Sequence, residues 1–155
     1  MNDWKLPWNA SCLCGRVQMR VTAPPVIAAA CHCKGCQKLT SGAYSLTLML
    51  PISGFEVEGQ TQLGALHRAE GQHHYCTRCL SWLYTTAPGL EAMDLHFRPT
   101  MLEDASWVVP FIESMTAEKL PGVVTGAKYS FEGWPPPPEY GRLMQEYAFE
   151  GARPR

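Results

Sequence analysis

Three cysteines fall within six residues, Cys31-His32-Cys33-Lys34-Gly35-Cys36, and no other stretch constrains the fold as strongly. That density exceeds what core packing needs. A short loop through it brings three thiols to one point, where a soft divalent metal ion is the natural occupant. The remaining four cysteines stand in two tight pairs, Cys12/Cys14 and Cys76/Cys79. Disulfides are the competing explanation. Against them, the total of seven is odd, and a Cys-x-Cys pair fits the exacting geometry of an internal S–S bond poorly. The start of the chain also shows no basic segment followed by an apolar one, so we expect no secretory leader and a reducing, cytoplasmic setting.

Composition narrows the class. A chain of 155 residues with 46% hydrophobic content can bury a core as one ordinary domain. A net charge of -1 argues against a nucleic-acid partner bound by neutralising phosphates. Apolar runs such as Leu46 to Leu50 are far too short to span a membrane.

The rest of the chain reads as short strands divided by breakers. Arg16 to Thr22 alternates polar and apolar residues, the mark of a half-buried strand. Val26 to Ala30 is a buried strand that delivers the chain into Cys31, and Gln37 to Gly42 is a short helical turn or loop. Further strands are expected at Ala43 to Leu50, Gly54 to Gly59, Trp82 to Thr86 and Met93 to Pro99. A hairpin of Leu63 to Glu70 with Gln72 to Tyr75 is expected around Gly71. Pro135 to Pro138 is an extended proline stretch. After it, Tyr140, Leu143, Met144 and Tyr147 recur at helical spacing, giving one amphipathic C-terminal helix. The sum is a mostly β domain organised by metal.

Spacing leaves the sharing of metals open. Cys33-x-x-Cys36 with Cys76-x-x-Cys79 makes a four-thiolate zinc site, and so does Cys12-x-Cys14 with Cys76-x-x-Cys79. The second choice leaves Cys31, Cys33 and Cys36 as a set of three with a fourth coordination position open.

Three segments together, Ser11 to Gly15, Cys31 to Lys38 with Gly42-Ala43-Tyr44, and Tyr75 to Cys79, resemble the glutathione-dependent formaldehyde-activating enzyme family, which includes centromere protein V. Leu102-Glu103-Asp104 resembles that family's Leu-Asp-Asp turn. The resemblance covers residues 11 to 125 or so. It implies a mostly β fold, the β-tent zinc domain of short antiparallel strands. Residues 1–10 would then be an N-terminal arm, and 126–155 a Pro-rich extension whose helix packs on the same domain. It further implies two zinc ions per chain: a structural one on Cys12, Cys14, Cys76 and Cys79, and a catalytic one on Cys31, Cys33 and Cys36. The implied activity is that of an S-(hydroxymethyl)glutathione synthase-like carbon–sulfur lyase, with glutathione as co-substrate and formaldehyde as the aldehyde. One departure is Leu80, where the family has glycine after the last cysteine. A glycine there would ease a positive-φ turn.

Three thiolates outweigh the two charges of zinc, which suits a soft fourth ligand such as a thiol held as thiolate. Lys34, Lys38 and Arg78, with Arg16, are the basic residues nearest the clusters in sequence and so the candidate contacts for glutathione carboxylates. Tyr44, Glu70, His73 and His74 are candidates to donate a proton to the developing alkoxide. His32 should turn its ring away from its flanking thiols, and Trp82 and Tyr84 are expected in the core. Two other readings compete: a non-catalytic zinc binding module mediating protein–protein interaction, for which Pro135 to Pro138 is a handle, and a redox sensor.

Overall fold

Frequent prolines and glycines cut the chain into eleven strands, which the computed structural model arranges in two sheets; residues 4–64 and 71–155 are described. The smaller sheet holds β1 (Trp8–Ser11), β2 (Gln18–Val21) and β5 (Phe55–Glu58) in the order β1-β2-β5. The larger holds β3 (Ile27–Cys31), β4 (Ser45–Leu50), β6 (Thr61–Gly64), β7 (Gln72–Cys76), β8 (Trp82–Thr86), β9 (Leu95–Phe97), β10 (Ile112–Ser114) and β11 (Tyr129–Ser130). Its order is β11-β10-β3-β4-β9-β8-β7-β6. Among the described residues there are two α-helices, α1 (Lys34–Thr40) and α2 (Glu139–Glu150).

The mostly β reading holds, and several details extend it. β10 runs parallel to both β3 and β11. The expected turn after Cys36 begins earlier, inside the cysteine cluster, because Cys33 caps α1: its sulfur accepts the Cys36 N–H at 3.3 Å. The first strand of the hairpin lies earlier than expected, at Thr61–Gly64 paired with β7. Residues 65–70, and with them the candidate Glu70, lie outside the described residues. The N-terminal arm already contributes Trp8 to β1, and Trp4 is buried in the core against Trp8, Trp107 and Tyr147. No helix among the described residues is long and apolar enough to cross a membrane.

One face of the large sheet packs on the core. Leu48, Leu50, Leu83, Leu95 and Phe97 are wholly buried there. Leu143 and Tyr147 of α2 belong to the same core cluster, which is why that helix is apolar on one stripe. Strand residues alternate between faces, so the opposite face carries a different set: Ala29 and Cys31, Ser45, Thr47 and Met49, His73, Thr85 and Ala87, and His96 with Arg98 just beyond β9. These line a cavity of about 610 Å³.

Candidate metal centre

The seven cysteines are free of disulfides, and their sulfur atoms gather in two groups. Those of Cys12, Cys14, Cys76 and Cys79 lie within 4.8 Å of one another. The Cys12–Cys14 and Cys14–Cys76 separations are 3.5 Å and 3.7 Å. Tetrahedral zinc with Zn–S bonds near 2.3 Å needs sulfurs roughly 3.8 Å apart, so an all-sulfur donor set of this spacing fits the ion. Two matching knuckles hold the sulfurs. In each, the first cysteine's N–H reaches a carbonyl five residues on, Cys12 to Val17 and Cys76 to Ser81. In each, its own carbonyl takes an N–H that closes the turn, from Gly15 and from Leu80. Backbone N–H groups also donate to the sulfurs, Val17 to Cys12 at 3.3 Å and Arg78 to Cys76 at 3.4 Å. The residue after each pair is left-handed: Gly15 at φ 75 and Leu80 at φ 58. The family's missing glycine thus leaves a leucine in a conformation that costs it about 1–2 kcal/mol.

Cys31, Cys33 and Cys36 form the second group, again within 4.8 Å and all buried. Cys31 ends β3, Cys33 caps α1, and Cys36 sits in its first turn. The loop is clamped from three sides. Gln37 donates through Nε2 to the carbonyls of His32 at 2.7 Å and Glu118 at 2.9 Å. The His32 N–H donates to the Ser114 carbonyl. Ser45, directly across from Cys31 in β4, donates its hydroxyl to the Cys36 sulfur at 3.1 Å. The Cys36 thiol is pulled down to about 5, first by its hydrogen bond with Cys31, while Cys31 is pushed up by Cys36 and by burial. Three sulfur donors gathered on one short loop fit a soft ion with a free position.

His32 turns away from the thiols, as its place between them implies. It is wholly buried, with Nε2 2.9 Å from Glu113 of β10. Glu113 also accepts from Ser130, Thr125 and Lys119. Burial opposes its ionisation, but these donors outweigh burial and bring its carboxyl down to about 2. A carboxylate on a neighbouring strand thus braces the histidine at the centre of the cluster.

The cavity meets this centre at Cys31 and Cys36. Beside them lies Arg98, 7% exposed. Its guanidinium stacks on Trp82 at 3.9 Å and donates to Thr47, Thr85 and the Leu46 carbonyl. No carboxylate pairs with it among the described residues. Burial lowers its pKa to about 10, with Cys36 and Cys31 pulling the other way, so it stays cationic. His73 lines the cavity and is held through Nδ1 by Thr85 at 2.7 Å. His96 lines it too, and burial, then Arg98, lowers its pKa to about 4, leaving it neutral.

The other sequence candidates fall elsewhere. Lys34, Lys38, Arg78 and Arg16 are exposed, and none lines the cavity. Tyr44 packs on His32, and His74 stacks on Tyr84 away from the cavity. Tyr84 is core, whereas Trp82 is cavity wall. Arg98, His96 and Glu113 were missed. Their signal is a polar residue at every second place on strands that bury both faces.

A Halomonas elongata protein, provisionally named a glutathione-dependent formaldehyde-activating enzyme, is 32% identical over 89 residues, covering 52% of this chain. The match spans 56% of that relative's length, little more than half. The crystal structure of a Rhodobacter sphaeroides protein aligns with a TM-score of 0.46 at 15% identity, over 61% of this chain and 87% of that one. The sequence profile of the family described as glutathione-dependent formaldehyde-activating enzyme matches residues 7–116. That stretch is more than half of the chain and contains all seven cysteines, and the chain belongs to this family.

Proposed function

We propose that the chain is a zinc enzyme of thiol–aldehyde chemistry, adding glutathione to a small aldehyde such as formaldehyde and, in reverse, acting as a carbon–sulfur lyase. The observation that carries the reading is the meeting of three thiols, a buried guanidinium and a cavity on one face of one sheet. In this reading Cys12, Cys14, Cys76 and Cys79 hold a structural zinc, and Cys31, Cys33 and Cys36 a reactive one. Residues 11–125 are the zinc domain, flanked by the arm and the extension, in a cytoplasmic setting that keeps the thiols reduced. Cys31, Cys33 and Cys36 would hold the zinc, which would supply a soft Lewis acid able to keep a substrate thiol deprotonated at neutral pH.

The chain's own residues do the rest. Addition forms one S–C bond, moves the C=O π pair to oxygen and leaves the thiol proton on that oxygen. No oxidant or reductant is consumed. Arg98 offsets the excess negative charge of three thiolates and faces the charge that develops on oxygen. His73, fixed by Thr85, is the candidate to carry the proton, since of Tyr44, His73 and His74 it alone lines the cavity. NMR exchange between glutathione and its hydroxymethyl adduct tests the reading. Zinc-loaded protein should speed exchange in proportion to its concentration; exchange at the protein-free rate overturns the proposal.

A further inference from the structure

We infer that this site favours, over formaldehyde itself, aldehydes bearing an apolar substituent of medium chain length or ring size. The inference rests on the thiol–aldehyde reading and concerns its carbonyl partner. A cavity of about 610 Å³ lies in the range that buries most of a drug-sized ligand. Formaldehyde would occupy a small corner of it.

The walls say what the remaining space suits. Met49 and Ala87 come from the sheet, Leu90 and Met93 from the loop after β8, and Trp134 and Tyr140 from the C-terminal segment. These surfaces gain by excluding water. At the rim, Leu90 is 47% and Trp134 41% exposed, apolar area that an apolar guest would cover. The sheet side contributes most of the polar groups, Ser45, Thr47, His73, Thr85, His96 and Arg98, beside Cys31 and Cys36, and the Tyr140 side chain lies close enough to Cys31 to feel its charge. A carbonyl presented there, with an apolar tail toward Trp134, matches both ends.

Glutathione's own body does not explain the walls. It brings two carboxylates and an ammonium, and buried charges need partners. Arg98 is the one Lys, Arg, Asp or Glu among the described residues lining the cavity. Trp134, Pro137 and Tyr140 also lie beyond residues 7–116, so this chain builds part of its cavity from outside the family match.

The test compares formaldehyde, hexanal and octanal as partners of glutathione with the zinc-loaded full chain, adduct formation being followed by NMR. The expected order of kcat/KM is octanal, then hexanal, then formaldehyde. Trp134→Ala should lower the octanal-to-formaldehyde ratio about tenfold or more, the scale set by lost apolar contact in a pocket. Ala87→Phe, which fills the cavity from the sheet side, should lower the same ratio. Formaldehyde turned over as well as octanal would overturn the inference and leave the thiol–aldehyde reading standing. Failure of all three aldehydes would overturn both.

Discussion

Cys12 and Cys14 join Cys76 and Cys79 across more than sixty residues of chain, whereas Cys31, Cys33 and Cys36 are all supplied by six consecutive residues. The first group links the β1–β2 turn of the small sheet to the β7–β8 turn of the large one. A cation held there would close a long loop and tie the two sheets together, and its binding energy would be folding energy. The second group is already local. It ends one strand, starts one helix, and meets a cavity with a buried cation beside it. In the proposed reading identical donor atoms serve two ends, one holding the sheets together and one open to a substrate, and sequence separation is what distinguishes them.

Removing one sulfur from each group is the hardest test of that division. Cys76→Ser should lose folding free energy on the order of 10 kcal/mol and give a chain without a cooperative melt. Cys33→Ser should lose one metal per chain and keep the fold, checked by metal analysis alongside circular dichroism. Equal effects would break the comparison.

Glu113 sharpens it from the open side. Glu113→Gln removes the charge that His32 and Lys119 share, and losing one partner of a buried pair costs about 3 kcal/mol. The carboxyl sits at about 2 in the fold, below its ordinary 4.5. Its contribution is therefore present above pH 4.5 and is lost as pH falls toward 2. Denaturant melts across that window should show a shallower acid limb in Glu113→Gln than in the parent.

Leu80 gives the smallest effect, on the closed side. Leu80→Gly relieves a left-handed leucine and pays back part of the gain in chain entropy. The net should be a rise of up to about 1 kcal/mol, read as a higher melting midpoint with unchanged metal content.

The strands and the C-terminal helix were legible because hydrophobic period reports burial on one side. The same rule hid the cavity. In Leu95-His96-Phe97-Arg98, alternation reads as a strand with a wet face, yet Arg98 is buried. Its polar face looks onto a cavity walled in part by Trp134 and Tyr140, nearly forty residues further along the chain. Which thiols gather was equally beyond spacing, since two partitions satisfy it, and only the resemblance chose between them. Lys34, Lys38 and Arg78 drew attention by nearness in sequence, but α1 and the knuckle point them to solvent. Leu80 was readable for a different reason: a missing glycine marks a backbone conformation before any coordinates exist.

The division between a closed and an open centre is tested most directly by cobalt substitution followed by titration with glutathione. We expect two cobalt ions per chain, with the absorption of one changing on thiol binding while the other stays fixed as a four-sulfur site. One cobalt per chain, or two that both ignore glutathione, would contradict it.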